Sequence, residues 1–408
     1  MISGTPGAIA SRRPYVVAGV GFLVAMVDGY DTLMLAFIAP LISKEWALHP
    51  QTVGEIFAGS YAGAALGATA IGIAADRFGR KTMLLASLAL VGVFTMLCAR
   101  SLNPAQLMVL RAVAGLGLGG ALSTSIALIA ENAPVLQRRA TVTRMFLGFP
   151  VGAIVGGAVT AGVMTFLGWR GVFLAGGVCA LLLIPLVALG VTESASGAHT
   201  ASPVHSRRPL TELVSGGRAW TTILFCVSVF LMLLTSYFLV SWIPTVLTLN
   251  GMSAERAAMA AVIINCGGIV GTLILSFIIG RRSPLAPVAV CLCSGAILIA
   301  LLGHGILWPG NAKFLLVFAV GLAVIGAQGC IPALGVHLYP ASVYATAGGL
   351  SVACGRLGSI IGPLVGGYLV SERLGWSRLF MLAAVPAMLA AIAMAALALT
   401  GQREGERR

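Results

Sequence analysis

The chain is a succession of long apolar runs, cut by short breaks of charged residues, glycine and proline, with no strict alternation of apolar and polar positions. Runs near or above the ~20 residues that cross ~30 Å of hydrocarbon as helix recur from one end to the other. Continuous apolar character predicts helices, since the strands of an outer-membrane barrel alternate every second residue. Hydrocarbon also offers a bare backbone no hydrogen bonds, so helices are the economical way to span it. The breaks place about twelve helices. In the first half they cover 14–41, 52–75, 82–100, 104–131, 142–167 and 170–191; in the second, 219–248, 254–280, 284–303, 312–339, 344–371 and 376–400. Thr192 to Arg218, rich in Ser, His, Pro and Arg, is the longest polar stretch. The expected organisation is an all-α membrane protein of twelve transmembrane helices in two six-helix bundles, 1–191 and 219–408, joined by a cytoplasmic linker, 192–218.

Composition agrees. Of 408 residues, 59% are hydrophobic and 9% charged, and the mean hydropathy is +1.01. A soluble domain carries about 25% charge, so most of this surface must face lipid. The net charge of +13 would point to nucleic acid in a soluble protein. Here the basic residues sit in short loops, and their asymmetry is a topological signal. With a cytoplasmic N-terminus, sixteen of the 25 Lys and Arg fall on the cytoplasmic side and seven on the other, leaving Arg111 and Arg356 inside spans. That bias predicts a multi-pass protein of the cell inner membrane with both termini cytoplasmic, its partner the lipid bilayer and not nucleic acid. Arg12 and Arg13 precede a span of more than 20 residues with two aspartates, which reads as an uncleaved first helix. The eight cysteines lie in apolar segments without CxxC or Cys/His ligand spacing, so free thiols, no metal and no cofactor are expected.

The chain also repeats itself. Leu167-Gly-Trp-Arg-Gly-Val-Phe173 returns 207 residues later as Leu374-Gly-Trp-Ser-Arg-Leu-Phe380. Each copy follows a glycine-rich helix, Gly152-Ala-Ile-Val-Gly-Gly157 and Gly362-Pro-Leu-Val-Gly-Gly367. Small residues four apart let helices pack closely in lipid, and two similar halves are a frequent plan of alternating-access carriers.

Four residues stand where an apolar span should have none: Asp28, Asp31, Arg111 and Arg356. Facing lipid, they would together cost roughly 10 kcal/mol, so they must face water or one another. Asp28 and Asp31 share a helix face. At ~1.5 Å per residue, Asp28 and Arg356 lie about 21 and 18 Å from the cytoplasmic side, and Asp31 and Arg111 about 15 and 10 Å from the other. Depth therefore allows the pairs Asp28–Arg356 and Asp31–Arg111. One reading is buried structural pairs that lock helices together. The other is chemical: a buried carboxylate can gain and lose a proton, and an arginine grips a carboxylate with two parallel hydrogen bonds. Together they suit proton-coupled movement of a small organic anion.

Between the second and third spans runs Gly72-Ile-Ala-Ala-Asp76-Arg-Phe-Gly79-Arg-Lys81. This resembles the signature G-x-x-x-D-R-x-G-R-[RK] of the major facilitator superfamily. The resemblance implies the major facilitator fold, with Gly72, Asp76, Arg77, Gly79 and Arg80 in a cytoplasmic gate where Asp76 meets the N-terminus of a second-half helix. Glu131 is expected to join them through Arg80 or Arg144. The matching second-half loop, Gly280-Arg-Arg-Ser-Pro284, lacks the aspartate.

Within that superfamily, four stretches are similar to the aromatic acid:proton symporters. They are Asp28-Gly-Tyr-Asp31, Arg111-Ala-Val-Ala-Gly-Leu-Gly-Leu-Gly119, Tyr237-Phe-Leu-Val-Ser-Trp-Ile-Pro244 and Gly355-Arg-Leu-Gly-Ser-Ile-Ile-Gly-Pro363. The resemblance implies a carrier importing a benzoate-, hydroxybenzoate- or hydroxyphenylpropionate-type acid with protons; a small organic anion and protons are its expected partners, and a monomer its expected working unit. Tyr237 and Trp242 are candidates to stack on the ring, or else helix-packing aromatics, and Gln328 is a candidate polar contact. His337 is expected to be structural or gating, and Glu55 to sit at a wet mouth. The alternative is a proton-coupled exporter of drugs or metabolites. Exporters favour G-P-x-x-G-G in the fifth helix, and here that string stands in the eleventh, from Gly362 to Gly367. No nucleophile–base pair or metal cluster supports an enzyme.

Overall fold

The computed structural model describes residues 13–132, 138–191, 219–279, 283–305, 311–339, 344–372 and 374–405; the expected linker, 192–218, lies outside them. The described residues form helices and no strands. In the first half these are α1 (Arg13–Glu45), α2 (Pro50–Phe78), α3 (Arg80–Cys98), α4 (Pro104–Asn132), α5 (Arg138–Phe146) and α6 (Gly148–Gly190). In the second they are α7 (Ala219–Leu249), α8 (Ala254–Ile279), α9 (Leu285–Gly305), α10 (Ala312–Gln328), α11 (Ile331–Leu338), α12 (Tyr344–Ser371) and α13 (Trp376–Gly405). Eleven segments among the described residues are long and apolar enough to cross a membrane, and Arg144–Thr160 is a shorter apolar stretch.

One boundary differs from the sequence expectation. The fifth and sixth spans part where expected: the helix written here as α6 is two helical stretches that meet at a kink at Gly168, whose φ of 61° and ψ of −164° suit a residue without a Cβ. The tenth span is interrupted, between Gln328 and Ile331. Pro332 has no N–H to offer the Gln328 carbonyl four residues back, so the helix ends there and restarts as α11.

The chain divides into two compact units, Met1–Ile42 with Gly59–Ala201, and Ser43–Ala58 with Ser202–Arg408. The division is not contiguous, because α2 changes unit near Ala58. Its first residues belong with the second unit, where a Cβ at Gly54 would stand 2.7 Å from the Pro363 carbonyl and Phe57 lies 6.5 Å from Trp242 between ring centroids.

Glycine seams hold each unit, because missing side chains let helix backbones touch. In the first unit α2 and α4 interlock reciprocally: a Cβ at Gly63 or Gly67 would land on the carbonyls of Ala112 or Leu116, and one at Gly115 or Gly119 on those of Ser60 or Ala64. The internal repeat appears as the same seam made twice. Gly148 and Gly152 of α6 lie on the Phe22 and Met26 carbonyls of α1, while Gly358 and Gly362 of α12 lie on the Phe230 and Leu234 carbonyls of α7. Gly63→Ala is expected to cost about 1–3 kcal/mol by overpacking, read as a lower melting temperature of the purified protein. Gly19→Ala, whose Cβ would meet nothing within 4 Å, serves as the neutral comparison.

Candidate functional site

The first unit buries one complete ion pair. Arg111 of α4 grips Asp31 of α1 with both ends of its fork, Nη1 to Oδ1 at 2.9 Å and Nη2 to Oδ2 at 2.6 Å. Each residue is 1% exposed. Nη2 also donates to the Ser60 hydroxyl of α2 at 2.9 Å, and Thr95 of α3 donates to Asp31 Oδ1 at 3.1 Å. The α2–α4 seam explains the arrangement. Gly115, one turn beyond Arg111, sits on the Ser60 carbonyl, so the glycine stripe that closes the helices also delivers the serine hydroxyl to the arginine. Tyr30 pins α1 from the other side, its hydroxyl donating to the Val172 carbonyl of α6 at 3.0 Å. The pair anticipated from depth, Asp31 with Arg111, is thus formed. Ser60, Thr95 and Tyr30 were missed, because a hydroxyl in an apolar helix carries no signature of its own.

Asp28 lies one turn back along α1 and is half-buried.

In the second unit Arg356 is half-buried in α12, between Gly355 and Gly358, which seat the helix on α7. No carboxylate among the described residues pairs with it. Arg111 and Arg356 therefore differ: Arg111 is bridged to a carboxylate, and Arg356 has none among the described residues. Gln328, the last residue of α10, is half-buried beside the helix break, and Tyr237 is half-buried on α7. Trp242 is placed by packing: it is 1% exposed, and its indole N–H donates to the Pro363 carbonyl at 3.0 Å. Of the two alternatives for this residue, its contacts are those of a helix-packing aromatic.

The loop motif forms a network within the first unit. Arg80 bridges Glu131 at 2.9 Å and Asp76 at 3.5 Å. Arg80, not Arg144, is thus the partner shown for Glu131. Gly79 precedes α3 with φ 91°, a left-handed conformation that favours glycine, which accounts for the motif's second glycine. A Cβ at Gly72 would meet only Ser123 at 3.6 Å, an ordinary contact. Arg77 lies over the Phe78 ring, 5.4 Å from its centroid. Lys81 donates to the Ala188 carbonyl at 2.7 Å near the C-terminus of α6, where a cation is favoured. His337 is exposed and shares a hydrogen bond of 3.2 Å with Ser283.

These features have counterparts in known proteins. A family model described as Major Facilitator Superfamily matches residues 21–363. The chain is 34% identical over 392 residues to the 3-(3-hydroxy-phenyl)propionate transporter of Escherichia coli, covering 96% of this chain and 95% of that one. It is 32% identical over 403 residues to the gallate transporter of Pseudomonas putida (92% and 90% covered) and 30% identical over 416 residues to the 4-hydroxybenzoate transporter PcaK of Acinetobacter baylyi (94% and 91%). Among solved structures, a D-xylose–proton symporter is similar in fold with a TM-score of 0.75 at 19% identity, covering 94% of this chain and 97% of that one. The nucleoside transporter NupG gives 0.78 at 13% identity, with 94% and 99% covered. The matched family and these relatives are transporters, so this succession of apolar helices is that of a multi-pass membrane transporter and not an enzyme. The chain belongs to the Major Facilitator Superfamily.

Proposed function

We propose that this protein imports an aromatic carboxylic acid together with protons by alternating access. The observation that carries the reading is Arg356, a cation inside an apolar helix without a carboxylate partner among the described residues. A guanidinium at that depth is costly unless an anion or water meets it, and a carboxylate fits its fork with two hydrogen bonds. Arg111 is already satisfied by Asp31, which leaves Arg356 to receive the substrate. The relatives named as gallate, 4-hydroxybenzoate and 3-(3-hydroxy-phenyl)propionate transporters support an aromatic ring on that carboxylate. In this reading six spans on each side of the linker enclose the pathway in the cell inner membrane, with both termini cytoplasmic and the monomer as the working unit. Asp28 and Asp31 serve proton coupling, Tyr237 and Gln328 border the substrate, and Asp76 with Arg80 and Glu131 closes the cytoplasmic end.

The test is uptake of labelled gallate, 4-hydroxybenzoate and 3-(3-hydroxyphenyl)propionate by cells making the protein, with and without an uncoupler. Accumulation of at least one acid, lost when the proton gradient collapses, is the expected result. Accumulation that survives the uncoupler removes proton symport, and transport of none of the three removes the substrate class.

A further inference from the structure

Asp31 is held by more than its arginine. Its carboxylate receives three donors, two from Arg111 and one from Thr95, and the Thr95 hydroxyl falls on the same oxygen as Arg111 Nη1. Ser60 in turn accepts from Arg111 Nη2, so α1, α2, α3 and α4 each place one side chain at a single charge pair. Thr95 is fully buried.

The other threonines show what is unusual here. A helical threonine commonly turns its hydroxyl back onto a carbonyl of its own preceding turn. Thr124, Thr235, Thr248 and Thr272 all do so. Thr95 instead reaches across to α1; in a helix a threonine's second rotamer brings the hydroxyl to a carbonyl of the preceding turn, which at this position is that of Val91. Its hydroxyl therefore has two places to go, one made for a carboxylate and one independent of it. A hydrogen bond donated to a carboxylate favours the ionised form, and the hydroxyl loses little when it swings back.

We infer that Thr95 is a positioning residue for proton coupling: its hydroxyl holds Asp31 ionised against Arg111, and turns onto its own helix when the carboxylate is neutralised. This rests on the symport reading above. Arg111 of α4, Cys98 of α3 and Tyr30 of α1 face Asp31, with Tyr61 of α2 beside Arg111, Cys179 of α6 beyond Tyr30, and Asp28 one turn back on α1. Phenols and thiols are ordinarily neutral near pH 7, and Arg111 is the charge bridged to Asp31.

The experiment uses the purified full chain in proteoliposomes and whichever of the three acids the wild-type protein accumulates best. Two assays separate the steps. Net uptake driven by an alkaline interior needs proton release inside on every cycle, whereas counterflow exchange does not. Thr95→Val keeps the shape and removes the donor that favours a charged carboxylate, so the proton-release step is expected to slow. Net uptake is expected to fall roughly tenfold, as losing one hydrogen bond to a charged group implies. Counterflow should stay close to wild type, and raising the interior pH by about one unit should restore net uptake. Thr95→Ser, which keeps the hydroxyl, should behave as wild type.

Equal losses in both assays, no loss in either, or a serine variant as poor as the valine one overturns the proposal. Thr95→Ala replaces the valine variant if that one fails to reach the membrane, and failure of both makes the hydroxyl a folding contact and overturns it too. Net uptake by the wild-type protein that ignores the proton gradient sinks the symport reading, in an arm that does not involve Thr95.

Discussion

Asp31→Asn is expected to lower the amount of folded protein in the membrane and to abolish accumulation in what remains. The substitution leaves the Arg111 guanidinium buried and positively charged without a carboxylate, its remaining acceptors the Ser60 hydroxyl, the backbone carbonyl of residue 31 and the neutral amide oxygen. Removing one partner of a buried pair costs about 3–5 kcal/mol, a large share of the ~5–15 kcal/mol that holds a protein folded. Loss of transport in that variant alone would therefore leave the role of Asp31 undecided between structure and chemistry. The double variant Asp31→Leu with Arg111→Met separates the two. It removes both charges at once, and replacing a buried pair by apolar groups is often neutral or stabilising. Its melting temperature is expected to return to that of wild type or above. Accumulation should stay absent, because the proton has lost its carboxylate. A double variant that regains both folding and accumulation makes the pair a lock between helices and nothing more.

How far this site was legible in the sequence varies residue by residue. Asp31 and Arg111 could be matched by depth, since a charge is conspicuous in an apolar span and 1.5 Å per residue converts position into height. The glycines after Arg111 marked a close helix contact but not its partner, and α2 supplied it through Ser60 and Ala64. Thr95 left no trace, because its meaning lies in a rotamer that reaches another helix. Trp242 was ambiguous for a similar reason: its N–H partner is a carbonyl 121 residues away, exposed to it by the seam along α12. The repeat marked α6 and α12 as close-packing helices but did not say that α1 and α7 would be their partners. It did not reveal that α2 changes unit near Ala58, because a continuous helix shows no break where its neighbours change. The interruption of the tenth span was written in Gly329 and Pro332, but several other spans contain proline and remain continuous, among them α1 with Pro40 and α7 with Pro244. Proline alone does not say which helix will part.

Arg356→Lys should give the opposite profile from Asp31→Asn: a protein that folds normally and transports poorly. Both arginines sit in apolar helices, yet among the described residues only Arg111 is bridged to a carboxylate. Substituting Arg356 strands no carboxylate among the described residues, so the melting temperature is expected to hold. Lysine keeps the positive charge but replaces a planar fork with a point charge, and so loses one of the two parallel hydrogen bonds to a substrate carboxylate. A bond to a charged group is worth about 1.5–3 kcal/mol, so KM should rise roughly 10–100-fold. Arg356→Gln, which removes the charge as well, should leave no measurable accumulation while still folding. Initial uptake rates across a concentration series, with thermal melts on the same preparations, measure both quantities. A lysine variant with the wild-type KM places the substrate carboxylate elsewhere. One that fails to fold means that Arg356 is part of the scaffold, as Arg111 is, and takes it out of the argument for an anionic substrate.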